Sequence, residues 1–327
     1  MKLTTRLSLH RLFLALMGTL ILLISACDDD DVSIPQEYDP AIHIYGMSMA
    51  PNFEAEEALI DPATGAFRLL EGTKEALGGL DLPIGPRFLT DFVNNRRIYQ
   101  LGGNNGIILQ DLETLEKTTI DIDSLQTSIN AWDFLTFGPD NNTIYGFDFA
   151  DDRIFALDLI AQKISVIAEG LPNYGANLEA FDYLPATNEL IFLTSDGYLI
   201  YSLENQITAL SGAFDKELFG FVRHPDTDRI YALTLPSDEQ IFRLVQLIRT
   251  DTRLESSDLS TADLAIDNLS PRLQTIHTAT NTYICKGGSS NFDNPETILY
   301  SIDLNTGELL HDVVLNGFGV MLKLRGE

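Results

Sequence analysis

Residues 88–122, FLTDFVNNRRIYQLGGNNGIILQDLETLEKTTIDI, decide the fold. Phe88 to Phe92 reads as a short strand, and Asn94-Asn95-Arg96 as a turn. Arg97 to Leu101 is a second strand, broken by Gly102-Gly103-Asn104-Asn105-Gly106. Ile107 to Leu112 is a third; Glu113 and Thr114 turn the chain towards a fourth, Lys117 to Ile122. Strands this short, joined by turns this tight, predict an antiparallel four-stranded meander.

The apolar-aromatic pair in the second strand, Ile98-Tyr99, recurs along the chain. Its copies are Ile44-Tyr45, Ile144-Tyr145, Ile191-Phe192, Ile230-Tyr231 and, degraded, Thr282-Tyr283. A repeat of about 40 to 50 residues has the size of a propeller blade. The strand plan repeats with it. The third unit runs from Phe134 to Ile167, the fourth from Phe181 to Leu210, the fifth from Phe221 to Leu247 and the sixth from Leu273 to Leu315. The first unit lacks its inner strand, beginning at His43 to Met47. Phe318 to Leu324, at the far end of the chain, alternates suitably to replace it. Helical spacing is nowhere sustained. The expectation is an all-β chain: a six-bladed β-propeller of four-stranded antiparallel blades over residues 41–327, closed by strands from both ends in one blade. A seventh blade would require the stretch Leu244 to Asn268 to be divided.

The Ile-Tyr strands, with Asp158-Leu159, Asp303-Leu304 or Asp61-Pro62 ahead of a turn, resemble six-bladed β-propeller lipoproteins. More loosely, they are similar to YVTN-type and TolB-like propeller repeats. These residues form blades and carry no activity of their own. Asp-box and Trp-Asp repeat signatures are absent, and Trp132 is the one tryptophan.

Ahead of the repeats, Lys2, Arg6 and Arg11 precede the apolar run Leu12 to Ile24, which is too short for a comfortable membrane span and reads as a secretory signal over residues 1–26. Ile24-Ser25-Ala26-Cys27 resembles the bacterial lipobox. That resemblance implies cleavage before Cys27, diacylglycerol on its thiol, and membrane attachment through the lipid. Ordinary secretion with cleavage after Ala26 is the alternative. Asp28 to Asp31 resembles the lipoprotein export signal of Bacteroidetes-type bacteria, which implies display on the outer face of the outer membrane; retention on the periplasmic face is the alternative. Residues 27–40 then form a lipidated acidic tether.

The chain carries a net charge of −27, and removal of the three basic residues of the signal would take it to −30. Such a surface excludes nucleic acid, which needs basic grooves, and disfavours adsorption to anionic lipid. It is compatible with a divalent cation or a cationic partner. With Cys27 lipidated, Cys285 has no intramolecular partner and reads as a buried structural cysteine.

Aligning the inner strands places one residue pair per blade at the channel mouth: Pro86-Arg87, Trp132-Asp133, Glu179-Ala180, Phe219-Gly220, Pro271-Arg272 and Asn316-Gly317. The candidate ligand-binding set is Arg87, Trp132, Asp133, Glu179, Phe219 and Arg272, with Tyr174 from the loop Gly170 to Asn177 on the same face. Arginine forks bind carboxylates, and aromatic rings stack on sugars. The same arginines could instead pair with Asp133 and Glu179 to neutralise the mouth. Lys286-Gly287-Gly288-Ser289-Ser290 lacks the ending of a phosphate loop and reads as a flexible loop. His224 and His277 fall beside turns at the opposite face, without metal-ligand spacing, and Asp148 to Asp152 lacks the pattern of a calcium loop. No catalytic residue, metal ligand or cofactor is assigned. The expected function is non-catalytic binding of a carbohydrate or envelope protein on the loop face. The alternative is a metal-dependent, lactonase-like hydrolase or a lyase, with Glu179, Asp133 and Asn316 or Asn130 as ligands.

Overall fold

The computed structural model describes residues 44–49, 54–71, 74–76, 88–91, 94–99, 106–114, 116–121, 134–148, 152–171, 178–235, 241–259, 264–270, 273–289 and 295–325. All regular structure among them is β. Blade 1 holds β1 (Ile44–Met49), β2 (Glu54–Ile60), β3 (Phe67–Leu69) and the short β4 (Glu75–Ala76). Blade 2 is β5 (Phe88–Asp91), β6 (Arg96–Tyr99), β7 (Gly106–Asp111) and β8 (Lys117–Asp121). Blade 3 is β9 (Phe134–Phe137), β10 (Thr143–Asp148), β11 (Arg153–Asp158) and β12 (Lys163–Ala168). Blade 4 is β13 (Leu178–Leu184), β14 (Glu189–Thr194), β15 (Gly197–Ser202) and β16 (Ile207–Ala213). Blade 5 is β17 (Leu218–Arg223), β18 (Ile230–Thr234), β19 (Ile241–Arg249), β20 (Leu254–Asp258) and the two-residue β21 (Leu264–Ala265). Blade 6 is β22 (Gln274–His277), β23 (Thr282–Gly287), β24 (Ile298–Asp303) and β25 (Leu309–Val314), and β26 (Val320–Arg325) returns to blade 1 as its inner strand.

Every pairing is antiparallel. Blade 1 is joined from both ends of the chain, with Tyr45 opposite Arg325 and Met49 opposite Val320. Among the described residues from Leu244 to Ala265, every strand pairs within blade 5. β19 is nine residues long, enough to pair with β20 along one part and with β21 at its start, and the tight turn Thr250 to Arg253 reverses the chain between β19 and β20. The molecule is a six-bladed ring.

The apolar residues of each blade meet those of the next in six separate cores. Ile98 and Ile107 of blade 2 pack with Ile144 and Phe155 of blade 3, whose Phe134 and Phe147 pack with Phe181 and Phe192 of blade 4. Ile191 and Ile200 meet Ile230 and Leu247, and Tyr231 and Leu244 meet Tyr283 and Ile302. Ile284 and Leu299 meet Ile44 and Met321, and Met47 and Val320 meet Tyr99 and Ile108, which closes the ring. The first member of each intact Ile-aromatic pair (Ile44, Ile98, Ile144, Ile191, Ile230) is buried in one of these cores.

The recurrent aspartates shape the turns after the third strand of blades 1, 2, 3 and 6. Asp61, Asp111 and Asp158 each accept two backbone N–H groups through Oδ1, and Asp303 accepts that of Asn305. A short acceptor side chain thereby replaces the ladder partner that the reversing chain has lost. At the same face, the turns between first and second strands use left-handed residues, Asn95, Asn141, Asn188, Asp228 and Asn281, with φ between 49 and 56°. His224 and His277 lie in or beside these turns. Both are buried, with Nδ1 of His224 accepting from the Asp226 N–H and that of His277 hydrogen-bonded to Thr280 Oγ1.

Candidate functional site

The inner strands of blades 4 and 5 each open on a β-bulge, which adds a residue to one strand and re-aims its neighbours. In β13 the register shifts between Leu178 and Ala180, around Glu179; in β17 it shifts between Phe219 and Val222, around Gly220. The two bulges touch. The Gly220 N–H donates to Glu179 Oε2 at 3.3 Å, and the Gly220 carbonyl accepts from Tyr283 Oη at 2.5 Å. Three blades are therefore tied at one residue. Gly220 has φ +63°, and a Cβ there would sit 2.6 Å from Tyr283 Oη and 3.0 Å from the Gln274 side chain, so both conformation and space require glycine. Burial holds the Tyr283 phenol well above the ordinary tyrosine range, which keeps it a neutral donor.

Of the sequence-derived candidates, Glu179 and Phe219 lie among the described residues; Glu179 accepts from the N–H of Gly220, the residue that follows Phe219. Both candidates are half-buried. Phe219 packs edge-on against Phe242, ring centroids 6.5 Å apart, at the core between blades 5 and 6. Arg87, Trp132, Asp133, Arg272, Tyr174, Cys27 and Asn130 lie outside the described residues. Asn316 is exposed just after β25, its N–H donating to the Val314 carbonyl.

The segment read as a flexible loop is corrected. Lys286 and Gly287 belong to β23, Lys286 is 1% exposed, and the Gly288 N–H donates to the Asp267 carbonyl. Its glycines serve close backbone approach. A Cβ at Gly287 would lie 2.4 Å from the Asp267 carbonyl oxygen, and one at Gly288 2.4 Å from that of Glu296. Lys286 Nζ reaches Ser270 Oγ and the Gly288 carbonyl, each at 3.2 Å, and burial lowers its pKa from the usual lysine value. Gln274 Nε2 donates to the Ser270 carbonyl at 2.6 Å. Ser270 and Gln274 went unread in the sequence because each is isolated there, and Lys286 was read only as part of a loop; β22, β23 and the connection into β22 bring the three together.

Cys285 is fully buried beside these residues, and burial drives its thiol pKa far upward, as expected of a structural cysteine. Asp148 is buried and paired with Arg153 at 3.5 Å. Among the described residues no group of three His, Cys, Asp or Glu side chains is placed to hold a metal ion.

No protein-family model and no curated protein matches the chain. Solved structures do. TolB from Acinetobacter baumannii is similar with a TM-score of 0.57 at 13% identity, over 88% of this chain and 67% of that one. A chain of the nidogen/laminin complex gives 0.52 at 9% identity, over 86% and 97%. An oligogalacturonate lyase in complex with manganese gives 0.51 at 11% identity, over 81% and 77%. Likeness at these identities is likeness of fold, and it defines the chain as a six-bladed β-propeller.

Proposed function

We propose that this chain is a lipid-anchored cell-envelope propeller, attached to the outer membrane through Cys27 and displayed at the cell surface. It binds a carbohydrate or an envelope-protein partner on the face that carries the connections between blades and the loops between second and third strands. The observation that carries the binding role is the Glu179–Gly220–Tyr283 tie. It commits the one described carboxylate of the candidate set to bracing adjoining blades, so this face is a rigid base from which loops present contacts. Stacking by Trp132 and Tyr174 and carboxylate recognition by Arg87 and Arg272 would supply the contacts.

The test is a thermal-shift screen of the fragment Tyr38–Glu327, which forms one compact unit, against glycans and divalent cations. A glycan that raises Tm in the wild type but not in Trp132→Ala supports the reading. A rise with manganese or calcium, lost in Glu179→Gln and accompanied by hydrolysis or elimination of a supplied substrate, would replace it with the hydrolase or lyase alternative. Metabolic labelling with a clickable palmitate tests the anchor: the full chain should take the label and Cys27→Ser should not.

A further inference from the structure

The connection from β25 to β26 closes the ring, and the pair Asn316-Gly317 forms its turn. The Phe318 N–H donates to the Leu315 carbonyl at 3.2 Å, so Asn316 and Gly317 hold the two central positions. Gly317 has φ +79°, and a Cβ there would meet nothing within 4 Å. Conformation, and not crowding, therefore accounts for this glycine. Asn316 and Gly317 are exposed, whereas Leu315 and Phe318 on either side are buried in the core between blades 6 and 1. Phe318 stands edge-on to Phe67, ring centroids 5.0 Å apart. Among the described residues, neither the Asn316 carboxamide nor the Gly317 N–H takes part in a hydrogen bond.

These features favour a reaction of the chain with itself. Attack by the Gly317 nitrogen on Asn316 Cγ closes a five-membered ring, and holding the two groups in one turn replaces a bimolecular encounter. A following residue with a Cβ would crowd that nitrogen; glycine does not. Neither reacting group has to be released from a hydrogen-bonding partner first.

We propose that Asn316 is a site of spontaneous deamidation that loosens the closure of the ring. The Gly317 nitrogen gives its proton to solvent and bonds to Asn316 Cγ. The Cγ–Nδ2 bond then breaks, and the amide nitrogen takes up a proton and leaves as ammonia. Water opens the resulting succinimide at either carbonyl, giving aspartate or isoaspartate. Both products add a carboxylate at the entry to the inner strand of blade 1. Isoaspartate also adds one carbon to the backbone between two core residues, Leu315 and Phe318, and so strains the seating of β26. The site stands apart from the binding reading, since it needs only the chain and water.

Peptide mapping of the purified protein by mass spectrometry, before and after incubation at mildly alkaline pH, tests it. The peptide that holds Asn316 should gain the mass of an amide-to-acid exchange. Conversion should quicken as pH rises, because the attacking nitrogen must shed its proton. Asn305 is the internal comparator, being exposed in a turn but followed by Thr306 and donating through Nδ2 to Asp303. Asn316 should convert about tenfold faster than Asn305, and Gly317→Ala should remove most of that difference. Asn316→Gln should not convert at this position, since its ring would need six members. Tm of the wild type should fall on incubation, and that of Asn316→Gln should hold. Conversion at Asn316 no faster than at Asn305 overturns the site. A converted wild type with unchanged Tm overturns the effect on closure.

Discussion

Gly220 concentrates much of the organisation of the channel mouth in one residue. Its left-handed backbone aims the N–H at Glu179 and the carbonyl at Tyr283, and any side chain would strike the phenol. Gly220→Ala should therefore destabilise by about 2 kcal/mol or more, combining left-handed strain with the clash. Tyr283→Phe should cost about 1–3 kcal/mol, because it leaves a buried carbonyl without its donor. The two changes share one contact, so removing the hydroxyl relieves part of the clash, and the double variant should lose less than the sum. Urea unfolding of the four proteins checks this; strictly additive losses would mean that the contact does not couple them. The glycine and the tyrosine are both legible in the sequence, the tyrosine as the degraded sixth copy of the repeated pair. Their meeting is not, because 63 residues separate them.

At the scale of the element, the turns between first and second strands do more than reverse the chain. Asp91, at the end of β5, accepts hydrogen bonds from the Asn94 N–H and Nδ2, from Arg96 Nε, and across the blade junction from Asn141 Nδ2. Burial pushes its carboxyl pKa up, but the hydrogen bonds from Asn94 and Arg96 outweigh this and hold it below the usual aspartate value. Glu189 on β14 behaves alike, with burial opposed by Arg249 and the net direction downward. A carboxylate with a depressed folded pKa stabilises fully above its unfolded value, near pH 4, and loses that contribution as pH falls through the folded value. The stability gap between wild type and Asp91→Asn should thus be widest near neutrality and shrink on acidification to about pH 3; a gap constant with pH would show that ionisation of Asp91 does not matter. The Asp91→Asn loss near pH 7 should be about 3 kcal/mol, since Arg96 loses a buried partner. Glu189→Gln should cost about 1 kcal/mol or less, because Arg249 is more than a third exposed and solvent screens the pair.

At the scale of the whole molecule, stability depends on closure. β26 fills the inner position of blade 1 and supplies Met321 and Leu324 to the core with blade 6 and Val320 to the core with blade 2. Removing residues 318–327 opens both cores and exposes the edge of β1. The truncated chain should lose cooperative thermal unfolding, whereas Met321→Ala, which deletes one buried side chain, should remain folded and lose about 2–5 kcal/mol. Circular dichroism melts separate these outcomes, and a cooperative melt in the truncated chain would show that closure by β26 is dispensable.

The period of the Ile-aromatic pair, the aspartates before turns and the unfilled first blade were enough to read six blades and the terminal closure, because each is a local pattern repeated at blade length. Blade 5 was harder: its fourth strand, Leu254–Asp258, and the β21 segment interrupt the expected spacing, and only pairing along the long β19 places them. The sequence alone determined the scaffold and the net negative charge, since periodicity and charge need no partner to be read. Tertiary structure alone decided which residues meet: Glu179 with Gly220, and Lys286 with Ser270. Those contacts cross strands or blades, and no spacing along the chain encodes how closely two strands approach.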